Sequence, residues 1–197
     1  MIPAWFKLAY TAFVLVVLVV WLKHYGWRNL LWFSDIALIG AVPALWLESA
    51  PLASVLTVAV LGPELLWNVD FALRLVLRRR VVGLTEYMFE RERPRVLRLL
   101  SLFHVPLPLV LLWMLAAYGY AAPVALPGAV VLAALVLPAS RLFGSAEANI
   151  NWTFGLARVQ SRLSPVAYVA LLFAGFVLGV FLPTDLLLRR LFAAAAA

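Results

Sequence analysis

The 197-residue chain contains no cysteine and only two histidines, and few of its residues are charged. Without cysteine it forms no disulfide, binds no metal through thiolates and has no cysteine nucleophile. His24 and His104 are too few for a histidine-rich metal site, so we expect neither a metal nor a cofactor. Charged side chains make up 13% of the chain, against about 25% in an ordinary soluble domain. This composition excludes an ordinary soluble fold.

Long apolar runs fill most of the sequence, which is 66% hydrophobic with a mean hydropathy of +1.02. About 20 apolar residues in a helix cross a bilayer core about 30 Å thick. We therefore predict an all-α fold, a polytopic integral membrane protein in which six transmembrane helices form one domain over residues 1–192. An alanine tail follows at 193–197. The predicted spans are 4–22, 30–47, 52–77, 97–118, 122–140 and 165–188.

Basic residues are concentrated on one side of the predicted spans. Of the 16 Lys and Arg residues, 13 lie in or beside the first, third and fifth connections, and the other 3 lie on the opposite side. The positive-inside rule then predicts a multi-pass protein of the cell (inner or plasma) membrane, with both termini outside the cytoplasm and Arg78–Arg80 inside. Topology and anionic headgroups explain the net charge of +7. We expect membrane lipids as partners and no nucleic acid.

Three predicted spans carry polar side chains into the cytoplasmic half of the membrane. Ser34 and Asp35 lie in span two, Asn68 and Asp70 in span three, and His104 in span four. At 1.5 Å of rise per residue, all five fall about 6–14 Å from the cytoplasmic ends of their helices. If the three helices adjoin, these groups form a polar pocket that opens toward the inner leaflet.

Glu64 lies deeper than the other polar groups, near the midplane. It shares a helix face with Asn68, four residues later, and Ser101 shares one with His104 and is a candidate partner for it. An unpaired carboxylate in lipid costs several kcal/mol. We therefore expect Glu64 to face inward and to be protonated or hydrogen-bonded.

Simpler interpretations compete for several of these features. Asp70 and Arg74, four residues apart, are spaced for an intrahelical ion pair. Gly175 and Gly179 form a GxxxG pattern, which predicts a close helix contact within this chain or with another subunit. Prolines should kink the spans and free carbonyls near the polar layer, at Pro43, Pro63, Pro106, Pro108 and Pro138.

Two short motifs resemble a known family. Residues 31–36, Leu-Trp-Phe-Ser-Asp-Ile, resemble the nucleophile motif of the androgen-induced and androgen-dependent intramembrane hydrolases of fatty-acid esters and of related six-span lipid acyl-transfer proteins. His104, followed by Leu107-Pro108, resembles their histidine motif. Trp32 stands where the threonine nucleophile of the hydrolases would fall, and Ser34 fits the cysteine of the acyl-transfer relatives. The resemblance implies a lipid ester as substrate.

The enzyme hypothesis makes Ser34 the nucleophile and His104 the general base that removes its proton. Asp35 or Asp70 would orient the imidazole, and Asn68 would donate to the oxyanion. Such a pair needs the serine hydroxyl about 2.6–3.2 Å from an imidazole nitrogen.

Two non-enzymatic hypotheses stay open beside it. In the first hypothesis, the chain is an accessory subunit of a larger membrane complex, and the polar layer only holds helices together. Alternatively it is a small transporter with Glu64 as proton carrier, which predicts an internal pseudo-symmetry that the sequence does not show.

Overall fold

The computed structural model describes residues 1–156 and 158–193, so positions 194–197 of the predicted alanine tail lie outside the described part. The described residues are helical and contain no strand, which confirms the predicted all-α class. The α-helices are α1 Ala4–His24, α2 Phe33–Trp46, α3 Ala50–Leu77, α4 Arg95–Ser101, α5 Pro106–Tyr118, α6 Ala122–Phe143, α7 Pro165–Phe176 and α8 Leu182–Ala193.

Within the described part of the chain, five helical segments are long and apolar enough to cross a membrane, where the sequence predicts six. The predicted span 30–47 contains only α2, whose 14 residues extend about 21 Å at 1.5 Å per residue. The helix is short because Trp32 has an extended backbone, with ψ of 135°, between α2 and the 3₁₀ turn Trp27–Leu31. The five long segments are Ala4–His24, Ala50–Leu77, Arg95–Tyr118, Ala122–Phe143 and Pro165–Phe192.

Helix α3 lies at the centre of the molecule and packs against α2, α5 and α6. It begins where the Ser49 side chain accepts a hydrogen bond from the Leu52 amide and Pro51 occupies the first turn. It ends at Arg78, which adopts a left-handed conformation with φ of +54°. Small buried residues such as Ala53 and Ala59 let the neighbouring helices approach closely. Glu64 and Asp70 are buried, so the polar face of α3 points into the protein.

The predicted fourth span is interrupted between α4 and α5 by a 3₁₀ turn, Leu102–His104. Proline has no amide hydrogen, so Pro108 cannot donate to the carbonyl four residues before it, that of His104. The Asn68 side chain donates a hydrogen bond to this free carbonyl instead, with its nitrogen 2.7 Å from the His104 carbonyl oxygen. The predicted release of a carbonyl by a proline near the polar layer is thus confirmed.

Helices α7 and α8 are joined by a stretch of π-helix, Val177–Phe181. Gly175 and Gly179 are both exposed, and no other atom lies within 4 Å of the position that a side chain would occupy on either. The predicted close contact of this GxxxG pattern within the chain is therefore wrong for the described residues. Its contact with another subunit stays a prediction.

Candidate functional site

The centre of the polar layer is a pair formed by Glu64 of α3 and His104. Glu64 Oε2 lies 2.8 Å from His104 Nδ1, and the Glu64 side chain is only 3% exposed. The expectation that Glu64 faces inward and is hydrogen-bonded is confirmed. A carboxylate that accepts from Nδ1–H fixes the tautomer in which Nε2 carries a free electron pair.

The imidazole of His104 is held between two aromatic rings. Its centroid lies 4.6 Å from that of Trp67 and 4.2 Å from that of Phe103, with the ring planes nearly parallel. Among the described residues, Arg98 Nε is the one buried side-chain polar atom that lacks a partner. His104 Nε2 has no hydrogen-bond partner there either, and the side chain is 13% exposed, so Nε2 reaches the surface of the protein.

Asn68 holds the backbone around this pair. Its side-chain nitrogen donates to the carbonyl of Glu64 at 2.8 Å and to that of His104 at 2.7 Å. Both amide hydrogens are thereby used. The predicted role of Asn68 as an oxyanion donor does not fit this structure, because no hydrogen is left to donate.

Asp35, on α2, is buried beside the pair without orienting the imidazole. Its carboxylate accepts hydrogen bonds from Trp21 Nε1 and from Asn29 Nδ2, each at 3.0 Å. It is near enough to His104 and Glu64 for charge–charge interaction. Three ionisable side chains from α2, α3 and the turn before α5 are thus gathered in one buried layer. The carboxylate that contacts His104 is Glu64, not Asp35.

Asp70 has a different role from either of those predicted. Its two carboxylate oxygens accept four hydrogen bonds, of 2.9–3.2 Å, from the segment Val82–Thr85. It therefore neither orients His104 nor pairs with Arg74, whose guanidinium lies over the ring of Phe89 instead. Asp70 ties the connection after α3 to the end of that helix.

The connection anchored by Asp70 also contributes a hydroxyl near the aromatic stack. Trp67 Nε1 donates to the Tyr87 hydroxyl at 3.2 Å, and Met88 is buried. Burial raises the pKa of Tyr87, so its hydroxyl stays protonated. This segment therefore packs on the protein.

Within the described residues, neither of the two serines proposed as partners of His104 hydrogen-bonds to it. Ser101 donates back to the carbonyl of Leu97 at 2.9 Å within its own helix. Ser34 is partly buried, and none of the hydrogen bonds of the described residues joins it to His104. The catalytic role of Ser34 stays a prediction, without the contact to the base that the hypothesis requires.

Asn151 is a buried polar residue to which sequence reasoning assigns no role. Its Nδ2 donates to the Leu31 carbonyl at 2.7 Å and to Ser140 Oγ at 2.9 Å, and its Oδ1 accepts from the Phe33 amide at 3.2 Å. It thus joins the connection after α6 to the start of α2. The sequence signal is a polar residue between Ile150 and Trp152, but two of its three partners, Leu31 and Phe33, lie more than 100 positions away in the chain.

Of two cavities that border the helices, the smaller one lies next to the polar layer. It has a volume of about 180 Å³ and lies between α1, α2 and α5. Phe103, which stacks on His104, lines it together with Tyr10, Leu38 and Pro106. The larger one, of about 430 Å³, lies between α6 and α7 and shares no lining residue with the polar layer. An apolar space therefore adjoins the aromatic wall of His104.

Comparison of the chain with models of known protein families finds no match, and comparison with curated proteins and with solved structures finds none. No group of three or more potential metal-ligating side chains occurs in the described ranges. The similarity to the intramembrane hydrolases thus remains one of short motifs, and the site must be interpreted from its own geometry.

Proposed function

We propose that this chain is an integral membrane protein in which His104, oriented by Glu64, acts as a general base in the hydrolysis of a lipid ester. The observation that carries the proposal is the buried Glu64–His104 pair, with its 2.8 Å contact at Nδ1 and its free Nε2 at the surface. Ionisable groups inside a membrane are costly and usually mark a functional site. Helices can be held together by Ser, Thr or Asn without that cost.

Because Nδ1 of His104 contacts Glu64, the proposed reaction uses Nε2. His104 Nε2 takes a proton from water, the resulting hydroxide adds to the ester carbonyl carbon, and the carbon–oxygen bond to the alcohol breaks. The proton then passes from the imidazole to the departing alkoxide. Glu64 stabilises the imidazolium formed in between. Water takes the place of Ser34 because Ser34 has no hydrogen bond to the base.

The location of the pair supports a lipid substrate. The pair lies within two of the long apolar segments, Ala50–Leu77 and Arg95–Tyr118, and a cavity of about 180 Å³ with an apolar lining lies against Phe103. An acyl chain entering from the bilayer would bring its ester toward the imidazole at the level of the polar layer.

Hydrolysis of a panel of ester lipids by the purified protein in liposomes tests this proposal. Replacing Glu64 with Gln removes the charge that stabilises the imidazolium and should lower the rate about 100-fold. The matched control is Glu92→Gln, the same change at an exposed position in the connection between α3 and α4. Ser34→Ala should leave the rate unchanged if water attacks. Loss of hydrolysis and of fluorophosphonate labelling in Ser34→Ala would instead restore Ser34 as nucleophile.

A non-enzymatic accessory subunit is the second candidate. The observation that favours it is that Asp35, Asn68, Asp70 and Ser101 all bond to partners inside the chain, as groups that only join helices would. In that case no ester is hydrolysed, and the protein is purified from its native membrane with other subunits. The same ester panel and one native purification decide between the two candidates.

A further inference from the structure

A groove of about 430 Å³ runs between α6 and α7. Its walls are apolar, and Ala134 of α6 and Ala170 of α7 are small, exposed residues that leave it wide. Its lining also includes Leu137, Pro138, Val166, Val169 and Phe173. An apolar groove between helices that are long and apolar enough to cross a membrane fits an acyl chain.

Arg141 lies at one end of the groove and is the single charged residue among the described residues that line it. It belongs to the last turn of α6, and its guanidinium is 3.9 Å from the ring centroid of Phe154. No acidic group within the described ranges forms a salt bridge with it. The cation is therefore held in place by the aromatic ring and is available to an anion.

The connection beside this end of the groove is also basic. Between α6 and α7 it carries Arg158 and Arg162, both exposed, against a single acid, Glu147. A phosphate at Arg141 thus meets a positive local field, and the choline or ethanolamine cation of a zwitterionic lipid would meet the same field unfavourably.

We propose that this groove binds one anionic glycerophospholipid, with an acyl chain along α6 and α7 and the phosphate at Arg141. The two parts of the ligand match the two parts of the site, the apolar walls and the single cation. The inference is independent of the Glu64–His104 chemistry, because the groove shares no residue with the polar layer.

Native mass spectrometry of the delipidated protein, titrated with phosphatidylglycerol or phosphatidylcholine of identical acyl chains, tests the proposal. Both lipids bring a phosphate to Arg141, but only phosphatidylcholine also brings a choline cation, which the Arg141 guanidinium repels by about 1 kcal/mol. The wild type should therefore bind phosphatidylglycerol about fivefold more tightly than phosphatidylcholine. Arg141→Gln should lower this ratio to about twofold or less. Arg28→Gln removes a cation outside the groove and should leave the ratio unchanged.

Filling the groove tests its apolar part separately. Ala170→Trp, or Ala134→Trp if the first variant does not fold, should weaken binding of both lipids while the melting temperature stays near that of the wild type. The proposal is overturned if Arg141→Gln keeps the wild-type preference for phosphatidylglycerol, or if Arg28→Gln lowers that preference as much as Arg141→Gln does. It is also overturned if folded groove-filling variants bind both lipids as tightly as the wild type.

Discussion

The carboxylate of Glu64 and the imidazole of His104 are 40 positions apart in the chain, and their atoms Oε2 and Nδ1 are 2.8 Å apart in the fold. Two features bring them together. Helix α3 packs against α5, and the 3₁₀ turn with Pro108 opens the backbone at His104 so that Asn68 can hold it. The pair leaves Nε2 of His104 free, and this nitrogen is the general base of the proposed reaction.

Replacing Asp70 with Ala should loosen the connection that follows α3. The four hydrogen bonds from Val82–Thr85 would lose their acceptor, which we expect to lower the free energy of unfolding by about 3 kcal/mol. Thermal unfolding, and trypsin cleavage at Arg78–Arg80, measure the effect. Glu92→Ala, which removes an exposed carboxylate in the same connection, is the control. Equal behaviour of the two variants would refute the anchoring role of Asp70.

Asn151→Ala should destabilise the fold by about 2–3 kcal/mol, because it leaves the Leu31 carbonyl, the Phe33 amide and Ser140 without a partner. Asn151→Asp should also destabilise, since a carboxylate cannot donate to the Leu31 carbonyl. Thermal unfolding followed by tryptophan fluorescence gives the comparison. An unchanged melting temperature in both variants would contradict the bridging role.

The ion pair of Lys7 and Glu48 should make stability depend on pH. The Lys7 ammonium donates to Glu48 at 2.6 Å and attracts it, and so holds the pKa of that carboxyl below its ordinary value of 4.5. A carboxyl whose pKa is lower in the folded state contributes stability above 4.5 and loses it as the pH falls through the folded-state pKa. At neutral pH the wild type should therefore have a higher melting temperature than Glu48→Gln, and this difference in melting temperature should vanish in acid. A difference that persists or grows in acid would contradict this assignment.

The charge distribution predicts the orientation of the helices. A cysteine introduced at position 80 should be shielded from an impermeant thiol reagent in intact cells, whereas one at position 48 should react, since the native chain has no thiol. The reverse pattern of labelling would invert the topology.

The long helices could be predicted from the sequence because their apolar runs and end signals agree. The predicted span 52–77 and the observed Ala50–Leu77 differ by two residues at one end. The shortness of α2 could not be predicted, since its hydropathy continues through Trp32 while the backbone there is extended. Apolar length alone does not report a break made by one residue.

The membership of the polar layer could be predicted, but its pairing could not. Depth along a helix predicts Asp35, Asn68 and His104 in the cytoplasmic half of the membrane and Glu64 near its midplane, whichever helices are neighbours. Which carboxylate meets the imidazole depends on helix adjacency and on the turn at Leu102–His104, and neither leaves a periodic signal. The serine–histidine motif resemblance therefore indicated the histidine that Glu64 contacts, but paired it with a serine to which the described residues show no hydrogen bond.

The most direct test of the account is to compare ester hydrolysis by the wild type, His104→Gln and His24→Gln in the same liposomes. The chain offers this matched pair because its two histidines lie in different settings, His104 in the polar layer and His24 exposed at the end of α1. Loss of a general base predicts a fall of about 100-fold or more in His104→Gln and none in His24→Gln. No hydrolysis by the wild type of any ester in the panel, or equal rates in the three proteins, would contradict the proposed function.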